Sequence, residues 1–134
     1  MLSVSNLIII VRMQYQYYFM KTEVWNQAME MNVLIYQLCT NIDDKNAFSI
    51  LNQLRRASLS VPTNIAEGLS KESTKEQLRF LGIAYASLME VLSLILTMEK
   101  LNISLTSNHT KIHSGINNSA RIINGYRKYL KKKL

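Results

Sequence analysis

The chain has 134 residues, about one domain's worth, with one Pro, four Gly and one Cys. So few turn formers favour a small number of long elements, the lone Cys39 excludes an intramolecular disulfide, and no clustered ligand set for a structural zinc is visible. The net charge of +7 is lopsided. Residues 1–100 carry nine basic and nine acidic side chains, whereas residues 101–134 carry Lys111, Arg121, Arg127, Lys128, Lys131, Lys132 and Lys133 and no acid. Residues 1–19 hold one short apolar run, residues 7–11, too short for a signal-peptide core and with no basic flank before it. They read as an extension outside the fold, and the chain is expected to be cytoplasmic. The domain proper is expected over residues 20–134.

A first helix is predicted over residues 21–40. Val24, Ala28, Met31, Ile35 and Leu38 recur at spacings of four and three, with Trp25, Met29 and Tyr36 as a second apolar ridge. After a polar connection, a second helix is predicted over 44–67, with Ala47, Leu51, Leu54, Ser58, Val61 and Ile65 facing inward. Pro62 lacks an amide donor and crowds the carbonyl of Ser58, so a kink is expected there. Gly68 is the expected terminator.

Ser73 and Glu76 have the spacing of a capping box and open the third helix. Leu78, Leu81, Tyr85, Leu88, Leu92 and Ile95 form one stripe, with Ile83, Val91, Leu94 and Met98 opposite and Glu90 the only charge from residue 80 to 98. Such a stretch is long enough to span a bilayer, but a central Glu is costly there and the amphipathic neighbours need this helix as a partner. A helix covered by both the bundle and a neighbouring subunit is the better account, and no membrane role is expected. A fourth helix, capped at Thr106 or Ser107, carries Ile112, Ile116, Ser119, Ile123, Tyr126 and Leu130 inward. At 100° per residue Arg121, Lys128 and Lys132 fall within about 20° of the opposite direction, with Arg127 and Lys131 on the flank. Four helices with short connections predict an all-α, antiparallel up-down-up-down bundle. The apolar third helix further predicts a cyclic homo-oligomer.

His109 and His113 stand one helical turn apart, but no third ligand is near them in sequence, so they read as solvated residues. Cys39 reads as a buried thiol. There is no Gly-rich phosphate loop, no cofactor motif and no nucleophile constellation, so the chain is not expected to be an enzyme. On the second helix Arg56, Ser60, Thr63 and Glu67 recur on the side away from the core, with Gln53 and Asn64 beside them. Two readings stand for this row. It is either a solvated face or a buried polar network reaching Ser87 and Glu90 on the third helix, with Arg56 compensating the carboxylates.

The run Gln53-Leu-Arg-Arg-Ala-Ser-Leu-Ser-Val-Pro-Thr-Asn-Ile-Ala-Glu-Gly68 resembles the signature of the 23S rRNA intervening-sequence four-helix-bundle proteins. Glu23-Val-Trp25 and Ala28-Met-Glu30 are similar to that family's opening helix, and Phe80-Leu81, Ala84 and Ser87-Leu-Met-Glu90 to its third. The likeness spans about residues 20–131 and departs at Ala86, where many members carry Gly. The resemblance implies a four-helix bundle assembled into a ring, typically a pentamer. It also brings in a relative, the accessory protein of diversity-generating retroelements, whose basic surface engages nucleic acid and a reverse transcriptase. Most members have no established activity. With the basic row Arg121, Arg127, Lys128, Lys131 and Lys132, the resulting expectation is an adaptor that binds RNA, DNA or a nucleic-acid–protein complex. A protein–protein scaffold whose lysines serve only solubility is the alternative.

Overall fold

The computed structural model describes residues 1, 3–8, 17–103 and 109–134. Four helices make up its body: α1 Glu23–Asn41, α2 Phe48–Leu69, α3 Thr74–Lys100 and α4 His109–Lys131. Two 3-10 turns, Tyr18–Lys21 and Lys45–Ala47, precede α1 and α2. Among the described residues there is no strand.

The helix ends follow local chemistry. Thr22 caps α1 by accepting the Trp25 amide on its hydroxyl, 3.4 Å away. The Asp44 carboxylate accepts the Asn46 amide at 2.9 Å and holds a 3-10 turn, so α2 starts at Phe48 and not at Asp44 as the sequence suggested. Helical geometry runs unbroken through Pro62. Gly68 does not terminate α2. No described glycine has a positive φ, the helix continues to Leu69, and the Ser70 and Lys71 amides close it on the carbonyls of Glu67 and Gly68. Ser73 caps α3 through the Glu76 amide at 3.1 Å, but the Glu76 carboxylate turns to Arg79 at 2.7 Å, leaving half of the capping box formed.

The far end of α3 closes on Asn102, whose φ of 54° places it in the left-handed region that Asn tolerates better than most residues. The Asn102 amide donates to the Glu99 carbonyl at 3.1 Å and the Ile103 amide to the Met98 carbonyl at 3.0 Å, which is a Schellman motif. Thr106 and Ser107, the expected caps of α4, lie outside the described residues.

Each helix packs on its neighbours in sequence and α4 returns against α1, while the diagonal pairs stay apart among the described residues. The inward stripes expected for α1 and α2 are buried throughout. In α4, Ile112, Ile116, Ser119, Ile123 and Leu130 are buried and Tyr126 is half-buried. One polar pair sits inside: the Ser58 hydroxyl donates to Asn32 Oδ1 at 2.8 Å and joins α1 to α2.

Helix α3 differs from its expected arrangement. Its buried row is Leu81, Ala84, Leu88, Val91, Ile95 and Met98, so Val91 and Met98 belong to the core and not to the opposite side. Its outward row, Arg79, Ile83, Ala86, Glu90, Ser93 and Thr97, is largely small or polar, although Leu96 beside it is also exposed. By length and composition α3 alone among the described helices could cross a membrane. At the start of the chain, Tyr18 and Phe19, placed by the sequence reading in the extension, touch the bundle. The Phe19 ring meets Trp25 edge-on at 5.2 Å, and the Tyr18 hydroxyl lies 3.1 Å from that of Tyr126.

Candidate nucleic-acid interface

Because α4 turns its isoleucines inward, the residues opposite them must face away. Arg121, Lys128, Lys131 and Lys132 are all exposed. Arg127 is not. It is half-buried, its guanidinium stands 5.8 Å from the centre of the Tyr85 ring, and Nη1 donates to Asn124 at 3.4 Å. Its Nε is buried and has no partner among the described residues. Gly82 stands beside it, where an added Cβ would lie at an ordinary contact distance of 3.8 Å from Nη2. Arg127 therefore braces α4 on α3, and its weight as a phosphate contact falls accordingly.

Two residues that the sequence reading left aside join this end of α4. Tyr129 is exposed, and the Lys133 ammonium sits 4.4 Å from its ring centre. A tyrosine and lysine at i and i+4 share a helix face, a signal present in the sequence but masked by the two flanking lysine rows. At the other end of the row, Arg121 and Lys21 line an open cleft of about 560 Å³ with Glu23, Gly125 and Tyr126. Burial and the bond from Tyr18 push the Tyr126 phenol well above its ordinary range, so it is a neutral group in this cleft.

The polar row on α2 forms only in part. Ser60 and Ser87 hydroxyls lie 2.9 Å apart across the α2–α3 contact, and Asn64 Nδ2 donates to Ser60 Oγ at 2.9 Å and to the Ser60 carbonyl at 2.8 Å. Gln53 Nε2 donates to Glu90 Oε1 at 2.5 Å. Arg56, Glu67 and Glu90 are exposed, and no ion pair joins Arg56 to either carboxylate among the described residues. Within one chain the buried ionic network is therefore absent. A charge that can stay hydrated avoids the desolvation cost that burial would impose, and the neutral amide of Gln53 already serves Glu90. Arg56→Ala should accordingly lower stability by less than about 1 kcal/mol, read as the shift in urea midpoint. A loss of about 3 kcal/mol or more would restore the buried network.

The histidine pair departs most from its expected setting. Glu99, on the last turn of α3, places Oε1 2.5 Å from Nε2 of both His109 and His113 on the first turns of α4. The two imidazoles, His113 foremost, hold the Glu99 carboxyl below the usual carboxylate range. The third group missing from the neighbourhood in sequence arrives through space, across the α3–α4 connection. Cys39 is buried, its thiol 3.9 Å from the Leu51 carbonyl, and burial pushes its pKa up, which suits an unreactive packing group.

A family model described as 23S rRNA-intervening sequence protein matches residues 20–125, most of the chain and all of α1 to α3. No curated protein matches the chain.

Proposed function

Since the chain belongs to the 23S rRNA-intervening sequence protein family, we propose that it is a non-enzymatic, homo-oligomeric adaptor that binds RNA or DNA through the outer row of α4. The observation that carries this reading is the acid-free basic segment 101–134, whose Arg121, Lys128, Lys131 and Lys132 side chains are exposed on a helix anchored by its opposite face. Phosphate attraction of this kind is independent of sequence, and Tyr129 beside Lys133 adds a ring on which a base can stack. A closed ring, five subunits being preferred on the family resemblance, would repeat the row and raise avidity. The bound partner is then RNA, DNA or a nucleic-acid–protein complex, with a reverse transcriptase or another protein as a further partner. In this reading the protein works in the cytoplasm, away from membranes, and needs no organic cofactor.

Filter binding of end-labelled duplex and single-stranded probes tests this, with light scattering on the same samples giving the oligomer size. Four phosphate contacts to duplex DNA imply that a fourfold rise in salt weakens binding about a hundredfold, and more steeply if several subunits engage one molecule. Retention should not depend on probe sequence. No retention of any probe at about 50 mM salt would hand the protein to the scaffold reading.

A further inference from the structure

We propose that Glu99, His109 and His113 form a binding site for a divalent transition-metal ion, zinc foremost, which clamps the end of α3 to the start of α4. Their ligand atoms, one carboxylate oxygen and two imidazole nitrogens, lie within 4.8 Å of one another. Both nitrogens converge on the same oxygen. The arrangement is built by the fold. His109 and His113 are i and i+4, so they share one face of α4, their ring centres 4.5 Å apart. The Schellman closure at Asn102 fixes the last turn of α3, because the Glu99 carbonyl is one of its acceptors. In tetrahedral zinc, nitrogen and oxygen ligands at about 2.0–2.1 Å from the ion stand about 3.3 Å from each other. The two nitrogen–oxygen separations of 2.5 Å must open by less than an ångström, and the two nitrogens, no more than 4.8 Å apart, must settle to the same spacing, which side-chain rotations supply.

The donor set selects the ion. Two imidazoles favour zinc, copper, nickel or cobalt over magnesium and calcium, which take oxygen ligands. One carboxylate and two neutral imidazoles sum to a single negative charge, which a divalent cation more than neutralises. Three protein ligands leave a fourth position for water or for a group from another molecule, as in open zinc sites. Among the described residues the site is open, the side chains of His109, His113 and Glu99 being 46%, 29% and 29% exposed. The site is separate from the basic row of α4: Arg121 follows His113 by eight positions, roughly 12 Å along the helix axis, and Lys128 by fifteen, roughly 22 Å. Metal binding and nucleic-acid binding can therefore fail independently.

The test is calorimetric titration of zinc chloride into the untagged, EDTA-dialysed full chain, with cobalt(II) absorption as a second probe. We expect one zinc per chain with a dissociation constant of about a micromolar or tighter. Cobalt(II) should give the visible bands of a low-coordinate N/O site. Glu99→Gln, nearly isosteric, should weaken zinc at least tenfold, and His109→Ala/His113→Ala should abolish binding, both with the far-UV dichroism and nucleic-acid retention of the parent. The proposal is overturned if the parent binds no more tightly than about 100 µM, or if the double variant keeps the parent's affinity.

Discussion

Reversing Arg121, Lys128 and Lys132 to Glu should reduce nucleic-acid retention by at least a hundredfold at low salt and flatten what remains of its salt dependence. Each substitution removes one cation that displaces a condensed counterion and puts an anion in its place. The net charge falls from +7 to +1 per chain. The fold should survive, because all three side chains are exposed and none belongs to the inward row of α4. A modest loss of stability is expected, about 1–2 kcal/mol, since Lys128 lies in the last turn of α4 and Lys132 just past its end, where cations complement the helix dipole and Glu opposes it. Lys45, Lys71 and Lys75 changed together to Glu provide the control. They are equally exposed and alter the net charge by the same amount, but they lie away from α4. If binding depends on the row, the control should lose much less than the α4 variant. Equal losses would mean that overall charge, not this helix face, retains the probe, and undiminished binding by the α4 variant would sink the interface outright.

Arg127 marks the boundary of that interface, and its place on the helical wheel already sets it apart. At 100° per residue it lies about 100° from Lys128 and only about 60° from the inward row, and the fold puts Tyr85 beside it, so a cation grouped with the flank serves as a brace. The helices differ in how clearly they show such phases. Stripes on α2 and α4 were legible because polar residues largely bracket them, and on α1 the second ridge of Trp25, Met29 and Tyr36 runs beside the main stripe without obscuring it. On α3 the outward row mixes Ala86, Glu90, Ser93 and Thr97 with Ile83 and the neighbouring Leu96, so periodicity selects no clean inward phase, and the assignment of Val91 and Met98 had to await the packing partners. Glu99 could not be assigned to the histidines from the chain order either. Ten residues separate it from His109, and only the antiparallel return of α4 brings them together. Long charged side chains such as Arg56 and Glu67 are ambiguous for a different reason: the same row can be folded under or left in water, and solvation decides. Gly68 is a further case, since glycine serves both helix ends and close helix contacts, and sequence does not separate the two uses.

Gly68 and Gly125 should respond to alanine with opposite signs. Both are helical, so replacing either reduces the freedom of the unfolded chain and favours the folded state by about 0.5–1 kcal/mol. At Gly125 that gain stands alone, because an added Cβ meets none of the described residues within 4 Å. At Gly68 the added Cβ would lie 2.8 Å from the Cβ of Phe80, with the Gln77 carbonyl oxygen at 3.4 Å and the Leu81 amide nitrogen at 3.8 Å. None of these atoms is the end of a flexible side chain, so α2 and α3 must separate along their contact. Overpacking of this kind costs about 1–3 kcal/mol, and the helix-propensity gain offsets only part of it. The expected net loss for Gly68→Ala is about 1–2 kcal/mol in urea denaturation, against a gain for Gly125→Ala. The clash can be traced to one atom by a double-mutant cycle. Phe80→Ala keeps the obstructing Cβ and should leave the cost of Gly68→Ala nearly unchanged, whereas Phe80→Gly removes it and should recover about 1 kcal/mol or more as coupling. A Gly68→Ala protein as stable as the Gly125→Ala protein would show that the two helices do not need glycine at their crossing.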